Sequence, residues 1–261
     1  MKKAFNKISR LFVLCFIGCF IILNDSCGLD TILTLDAPRR HHTVDDCAAT
    51  EAAQVAESYF TFSSAVSLNG TGTLLGVDLY YRIYTSKSEC QTQKSNLESL
   101  ANNNSTSYTS YDSMISKGYK ALRCTGLRDE PLIRDSAEYY LRLVTDGTFT
   151  DESNGFYACL RKTTDVISVA DRENHIPLRN LATNYQKQFS FDFGSNVSGE
   201  AGVKVKIPVS GDADTNYYSF TEPNTYYVAV FAVAVAKDES FVRYYSPIEY
   251  LGSVKIVSAT D

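Results

Sequence analysis

Several groups of side chains in this chain could carry chemistry. His41-His42 stand just before Asp45-Asp46, and imidazoles with carboxylates are apt ligands for a divalent ion. Adjacent side chains on an extended chain point to opposite faces, so both imidazoles cannot reach one ion without a sharp turn. A solvated connection without metal is expected there. Asp212-Ala213-Asp214-Thr215-Asn216 opens like the D-x-D-x-N start of a calcium loop. Such a loop needs Gly at its sixth position and a bidentate Glu at its twelfth. Tyr217 and Pro223 stand at those places, so an acidic hairpin turn is expected. Asp129, Glu130 and Asp135 could pair for glycoside hydrolysis, which needs two carboxyl groups roughly 5–9.5 Å apart. In the charge-rich run LRDEPLIRD a solvated face is the expected role. His175 falls in the polar connection DRENH, and the chain has no G-x-S-x-G, H-E-x-x-H, P-loop or G-x-G-x-x-G signature. No cofactor is expected.

Thiols and phenols remain. Cys47, Cys90, Cys124 and Cys159 form no C-x-x-C pair and show no setting that would lower a thiol pKa. In an exported chain they are candidates for disulfides, with three pairings open. Tyr is abundant, at 18 residues, beside 14 Phe and no Trp. Tyr80, Tyr84, Tyr108, Tyr111 and Tyr119 are the candidate binding surface, because a rigid ring with a polar tip suits recognition. Such rings also serve as cross-strand pairs that fill sheet faces.

The elements that must position these groups are mainly strands. In Gly76–Thr85, Val77, Leu79, Tyr81 and Ile83 alternate with Asp78, Tyr80, Arg82 and Tyr84, the period of two of a sheet with one buried face. Thr225–Ala236 is apolar on both faces, which predicts a central strand. Ser58–Ser64, Ala137–Val144, Gly155–Lys162, Lys187–Phe193, Gly202–Val209, Phe241–Tyr245 and Leu251–Val257 are further strand candidates. The predicted fold is an all-β sandwich over residues 46–261. Ser86-Lys87-Ser88-Glu89 matches a capping box and predicts a helix of about 12 residues ending before Asn102. The polar run STSYTSYDS is expected to be a loop, so residues 86–135 or so form a helix-loop insertion.

The N-terminus has another purpose. Lys2, Lys3, Lys7 and Arg10 precede an uncharged run, Leu11–Leu23, of 13 residues. That is short for a bilayer core of about 30 Å and fits a signal peptide over residues 1–26. Its removal takes away four positive charges and one negative, moving the net charge from −5 to −8. An acidic chain without basic runs has no electrostatic footprint for nucleic acid.

A leader that ends in Leu23-Asn24-Asp25-Ser26-Cys27-Gly28 resembles those of bacterial lipoproteins, and the run SCGLDTILTLDAP is similar in style to lipoproteins of spirochaetes such as Treponema. The resemblance implies that Cys27 receives the lipid, that residues 27–45 are a tether, and that the chain sits in the cell envelope, membrane-anchored through its N-terminal lipid. Cys19, in FIGC, is the rival attachment site; plain secretion and a retained anchor also stay open. Two acyl chains or more anchor stably where one does not, at about 0.8 kcal/mol per buried CH2.

The order of the predicted strands resembles the fibronectin type III and immunoglobulin sandwiches. SYFTFSS and GVDLYYRIY stand as early strands, and Pro223-Asn224-Thr225 leads into TYYVAVFAV, where Tyr227 takes the tyrosine-corner position. The function expected is a non-enzymatic binding or structural module of the envelope with a protein or glycan partner. The runner-up is an envelope-associated hydrolase of glycans or peptides.

Overall fold

The computed structural model describes residues 33–103, 108–127, 130–145, 157–165, 175–181, 189–193, 203 and 205–258. Cys27, the leader and the first two residues of the predicted strand Lys187–Phe193 lie outside the described residues; the rest of that stretch forms only an isolated bridge, Phe189 with Arg179. The compact unit spans Leu33–Asp261. Its main elements are β1 (Arg39–His42), β2 (Phe60–Ser63), β3 (Thr73–Tyr84), α1 (Lys87–Asn103), α2 (Tyr108–Ser116), β4 (Glu138–Arg142), β5 (Cys159–Lys162), β6 (Thr225–Lys237), β7 (Arg243–Tyr245) and β8 (Glu249–Val257).

The chain is β-rich, and among the described residues, beside the two-stranded pairs Thr34–Leu35 with Leu68–Asn69 and Pro177–Leu178 with Arg123–Cys124, its strands build two larger sheets. One has the order β1-β2-β4-β5, antiparallel throughout. The other is built around β6, which pairs antiparallel with β3 on one side and with β8 and then β7 on the other. Short pieces at Lys120–Ala121 and Thr215–Asn216 extend the β3 edge.

Alternation in β3 sorts its side chains between two cores. Val77, Leu79, Tyr81 and Ile83 pack with Tyr226, Val228 and Val230 of β6 against Phe60 and Phe62 of β2 and Leu141 of β4, filling the space between the sheets. Tyr80 and Tyr84 join Tyr227, Ala229, Phe231 and Val233 in a second core against Cys90 and Leu97 of α1 and Met114 of α2. Every residue from Thr225 to Ala236 is buried because β6 is covered on both faces.

Four sequence expectations change. α1 runs 17 residues to Asn103; its predicted cap is present, with the Glu89 amide donating to Ser86 Oγ at 3.4 Å. The run expected to be a polar loop contains α2. Its Ser and Thr content hides the two positions, Ser110 and Met114, that face inward one turn apart. The stretch expected as tether belongs in part to the fold: Arg39–His42 forms β1, and Asp45 bridges Ser253 of β8. That bridge needs Gly252, at φ +141°, where a Cβ would lie 2.1 Å from the Val44 carbonyl oxygen. No strand covers the described part of the predicted Gly202–Val209 strand.

Candidate functional site

Among the described residues, the most elaborate polar construction holds a loop. Arg179 follows Pro177–Leu178, which pairs with Arg123–Cys124, and its side chain is completely buried. Its guanidinium donates Nε to Asp214 Oδ2 and Nη2 to Asp214 Oδ1, both at 2.9 Å, the fork geometry that suits a carboxylate. Nη2 also reaches Asp212 at 3.0 Å, and Nη1 donates to the Lys206 carbonyl at 2.8 Å. Tyr81 donates its hydroxyl to Asp214 at 2.7 Å, and Lys206 pairs with Asp212. Burial opposes the charge on Arg179, but the bonds to the two aspartates outweigh it and raise its pKa. For Asp212, likewise, burial raises and the bonds from Lys206, Val209 and Arg179 prevail, holding its carboxyl below the ordinary range. The acidic turn therefore grips a guanidinium of its own chain.

Those two carboxylates share one cation, yet they are unsuited to hydrolysis. A general acid must touch the leaving group, and Asp214 is 0% exposed with its oxygens already accepting from Arg179 and Tyr81. What the knot does is fix the loop over residues 205–221 onto β3, where the Ile83 amide donates to the Asp214 carbonyl at 2.9 Å.

That loop presents apolar surface. Ile207, Val209, Tyr217 and Tyr218 are 39%, 47%, 45% and 61% exposed. Tyr218 is held by two bonds with the Thr85 hydroxyl, one from its amide and one to its carbonyl. Edge-to-face and tilted rings run inward from Tyr217 through Phe220, Tyr226, Phe193 and Phe191 to Tyr81. Rigid aromatic residues with polar tips, backed by a packed core, are what a recognition surface requires.

The tyrosines expected to form a binding surface lie elsewhere. Tyr80, Tyr84 and Tyr119 are buried beneath the helices: Tyr84 donates to Tyr119 at 3.0 Å, and burial pushes its hydroxyl up to about 12. Tyr111 is half-buried, stacked on Tyr245 at 3.8 Å, and only Tyr108 of the five is exposed. The outward face predicted for β3 is inward because α1 and α2 cover it. Tyr217 and Tyr218 were legible only as an adjacent aromatic pair in a polar loop, with no periodicity to mark them.

The remaining candidates have structural settings. Cys47 is bridged to Cys90, while Cys124 and Cys159 are buried thiols; burial and the neighbouring Cys159 raise the Cys124 pKa. Beside the bridge, Asp45 accepts from Lys94 at 2.8 Å, Tyr250 at 2.9 Å and Ser253 at 3.0 Å. His42 stacks on Tyr59 at 4.1 Å, with its Nε2 3.3 Å from the Glu57 carbonyl oxygen. Glu130 pairs with Arg123 and Asp135 with Lys162; Asp129 lies outside the described residues. Among the described residues no group of three or more His, Cys, Asp or Glu is placed to hold a metal ion. Glu98 and Glu249 bracket Arg40, at 3.7 and 3.3 Å, and burial raises the Glu249 carboxyl against the pull of Arg40.

No protein family model, curated protein or solved structure matches this chain.

Proposed function

We propose that this protein is a bacterial lipoprotein of the cell envelope, anchored through Cys27, and that it acts as a non-enzymatic module displaying Tyr217, Tyr218, Ile207 and Val209 to a protein or glycan partner. The observation that carries the binding half is the exposed aromatic patch on a loop locked by Arg179 and Asp214. A buried ion pair is a weak source of stability, so its placement under an exposed patch is better accounted for by holding that patch in one shape. The anchoring half rests on the leader and Cys27. Kinship with immunoglobulin-like and fibronectin type III sandwiches draws support from strand order. The groupings β1-β2-β4 and β3-β6-β8 parallel A-B-E and C-F-G, while the edge strand β5 departs from that pattern by following β4 in the chain where D precedes E; Tyr227 donates to the Glu222 carboxylate in the preceding turn at 3.4 Å.

Labelling cells with a radioactive fatty acid tests the anchor. Label should vanish in Cys27→Ala and persist in Cys19→Ala; the reverse pattern moves the site to Cys19. Co-sedimentation with purified peptidoglycan sacculi, weakened in Tyr217→Ala/Tyr218→Ala, would support display to a glycan. The alternative, an envelope-associated hydrolase, has one observation in its favour, the raised Glu249 beside Glu98. Release of soluble fragments from sacculi, abolished in Glu249→Gln, would replace the module reading with that one.

A further inference from the structure

The end of the molecule where the chain enters carries a second apolar feature, which the display surface does not use. Leu33 lies against the last residue of β6: a Cβ at Gly72 would sit 2.5 Å from Leu33 Cδ1 and 2.8 Å from the Lys237 carbonyl oxygen. Thr34 and Leu35 then pair with Asn69 and Leu68, just before β3. Directly after Lys237 comes the turn into β7, whose tip is Phe241-Val242, 76% and 53% exposed, with Leu74 of β3 36% exposed at the same end.

That tip is built and held. The Phe241 amide donates to the Asp238 carbonyl at 3.1 Å, the Asp238 amide to the Val242 carbonyl at 3.1 Å, and the Val242 amide to Asp238 Oδ1 at 2.8 Å. Tyr244 donates its hydroxyl to the same carboxylate at 3.2 Å. Phe241 adopts φ 64°, a backbone region that bulky residues rarely occupy, and yet its ring is the most exposed large apolar side chain among the described residues. Lys237 places its ammonium 4.9 Å from that ring. Core packing cannot account for a phenylalanine held in an unfavourable conformation and aimed at solvent.

We infer that Phe241 and Val242 enter the interfacial region of the bilayer to which Cys27 is attached, giving the protein a second point of membrane contact and a fixed orientation. The inference rests on the lipoprotein reading. Five residues separate Cys27 from Leu33, and a chain of that length reaches at most about 20 Å. The end of the molecule that bears Leu33 must therefore stay close to the lipid headgroups. Lys237 and Arg243 balance Asp238 and Glu239 around the tip, so apolar insertion drives the contact and anionic lipid is not required. Tyr217 and Tyr218 flank the opposite end of β6, which is 13 residues long and about 40 Å from end to end.

The chain contains no Trp, so a single indole reports its own surroundings. The lipidated, full-length variants Phe241→Trp and Tyr218→Trp, each reconstituted in phosphatidylcholine vesicles with brominated acyl chains, test the inference, and Val242→Trp serves as a second reporter of the tip. The indole at position 241 or 242 should lose most of its emission relative to unbrominated vesicles, and the indole at 218 none. Lipid-bearing protein, verified by mass, whose tip indole is unquenched overturns this inference and leaves the lipoprotein reading standing. Equal quenching at 218 overturns the fixed orientation. Protein that carries no acyl chains overturns the lipoprotein reading and takes this inference with it.

Discussion

Asp214→Asn is the sharpest perturbation of the loop anchor. The substitution keeps the shape of the side chain and removes its charge. It leaves Arg179, with a fully buried side chain, sharing Asp212 alone. Two guanidinium donors and the Tyr81 hydroxyl converge on Asp214, and the amide would turn one NH2 toward groups that also donate. Breaking a buried pair from one side costs about 3–5 kcal/mol because the other charge is stranded. Asp212 still compensates part of it, which puts the expected loss near the lower bound, about 3 kcal/mol. Urea unfolding with an unchanged m value would measure this. Hydrogen exchange should quicken first at Ile83 and Thr215, whose amides donate to the Asp214 and Asp212 carbonyls. A loss below about 1 kcal/mol, the ordinary worth of a surface pair, would refute the reasoning. So would failure of Arg179→Met/Asp214→Leu to recover part of the loss, since that double variant strands no buried guanidinium.

Two further outcomes are expected. Reducing the Cys47–Cys90 bridge, which closes a separation of 43 residues, should lower stability by about 4 kcal/mol in urea titrations run with and without a thiol reductant; no difference would mean the bridge is absent in solution. At acid pH the Asp45 clasp should fail. Burial alone would raise the Asp45 carboxyl, but bonds from Lys94, Tyr250 and Ser253 and the charge of Lys94 hold it below its ordinary value. A depressed folded pKa contributes stability that is present above the unfolded value and lost as pH falls through the folded one. Lys94→Met should flatten that acid limb in thermal melts taken across pH 2–6 or so, and an unchanged limb would show that Lys94 does not set it.

How much of this was legible depends on whether the determining contact was local. The two-fold period of Val77, Leu79, Tyr81 and Ile83 marked a face of β3, and that face lies in the core between the sheets. The same period could not say what covers the opposite face. Tyr80 and Tyr84 meet Tyr119 and α2 only after about 30 residues of intervening chain fold back, and a Tyr suits a wet surface or a buried hydroxyl pair equally well. α2 escaped notice because its inward positions are Ser110 and Met114, set among Ser, Thr and Asp that favour caps and turns. The acidic turn was visible as a turn, but its partner, Arg179, is 35 residues from Asp214, and nothing in its local sequence marks a buried guanidinium. Pairing among the cysteines was likewise a matter of which segments meet: Cys47 reaches Cys90 because the 45–47 segment docks on β8 beside the first turn of α1.

The packing that hides β6 from solvent also stiffens the frame of the proposed display. A strand apolar on both faces needs a cover on each, and here the small sheet supplies one and the helices the other. β3 and β6 run side by side through a register that reaches from Tyr227 opposite Tyr84 to Lys237 opposite Thr73. A paired, doubly covered ribbon of that length bends little, so the spacing between Leu33 at one end and Tyr218 at the other is set by covalent geometry and packing. On the proposed reading, that rigidity holds the aromatic patch clear of the bilayer. The strong polar contacts then fall where the strands alone cannot hold the chain: Arg179 and Asp214 under the loop, Asp45 and Lys94 between α1 and β8, and Asp238 in the β6–β7 turn.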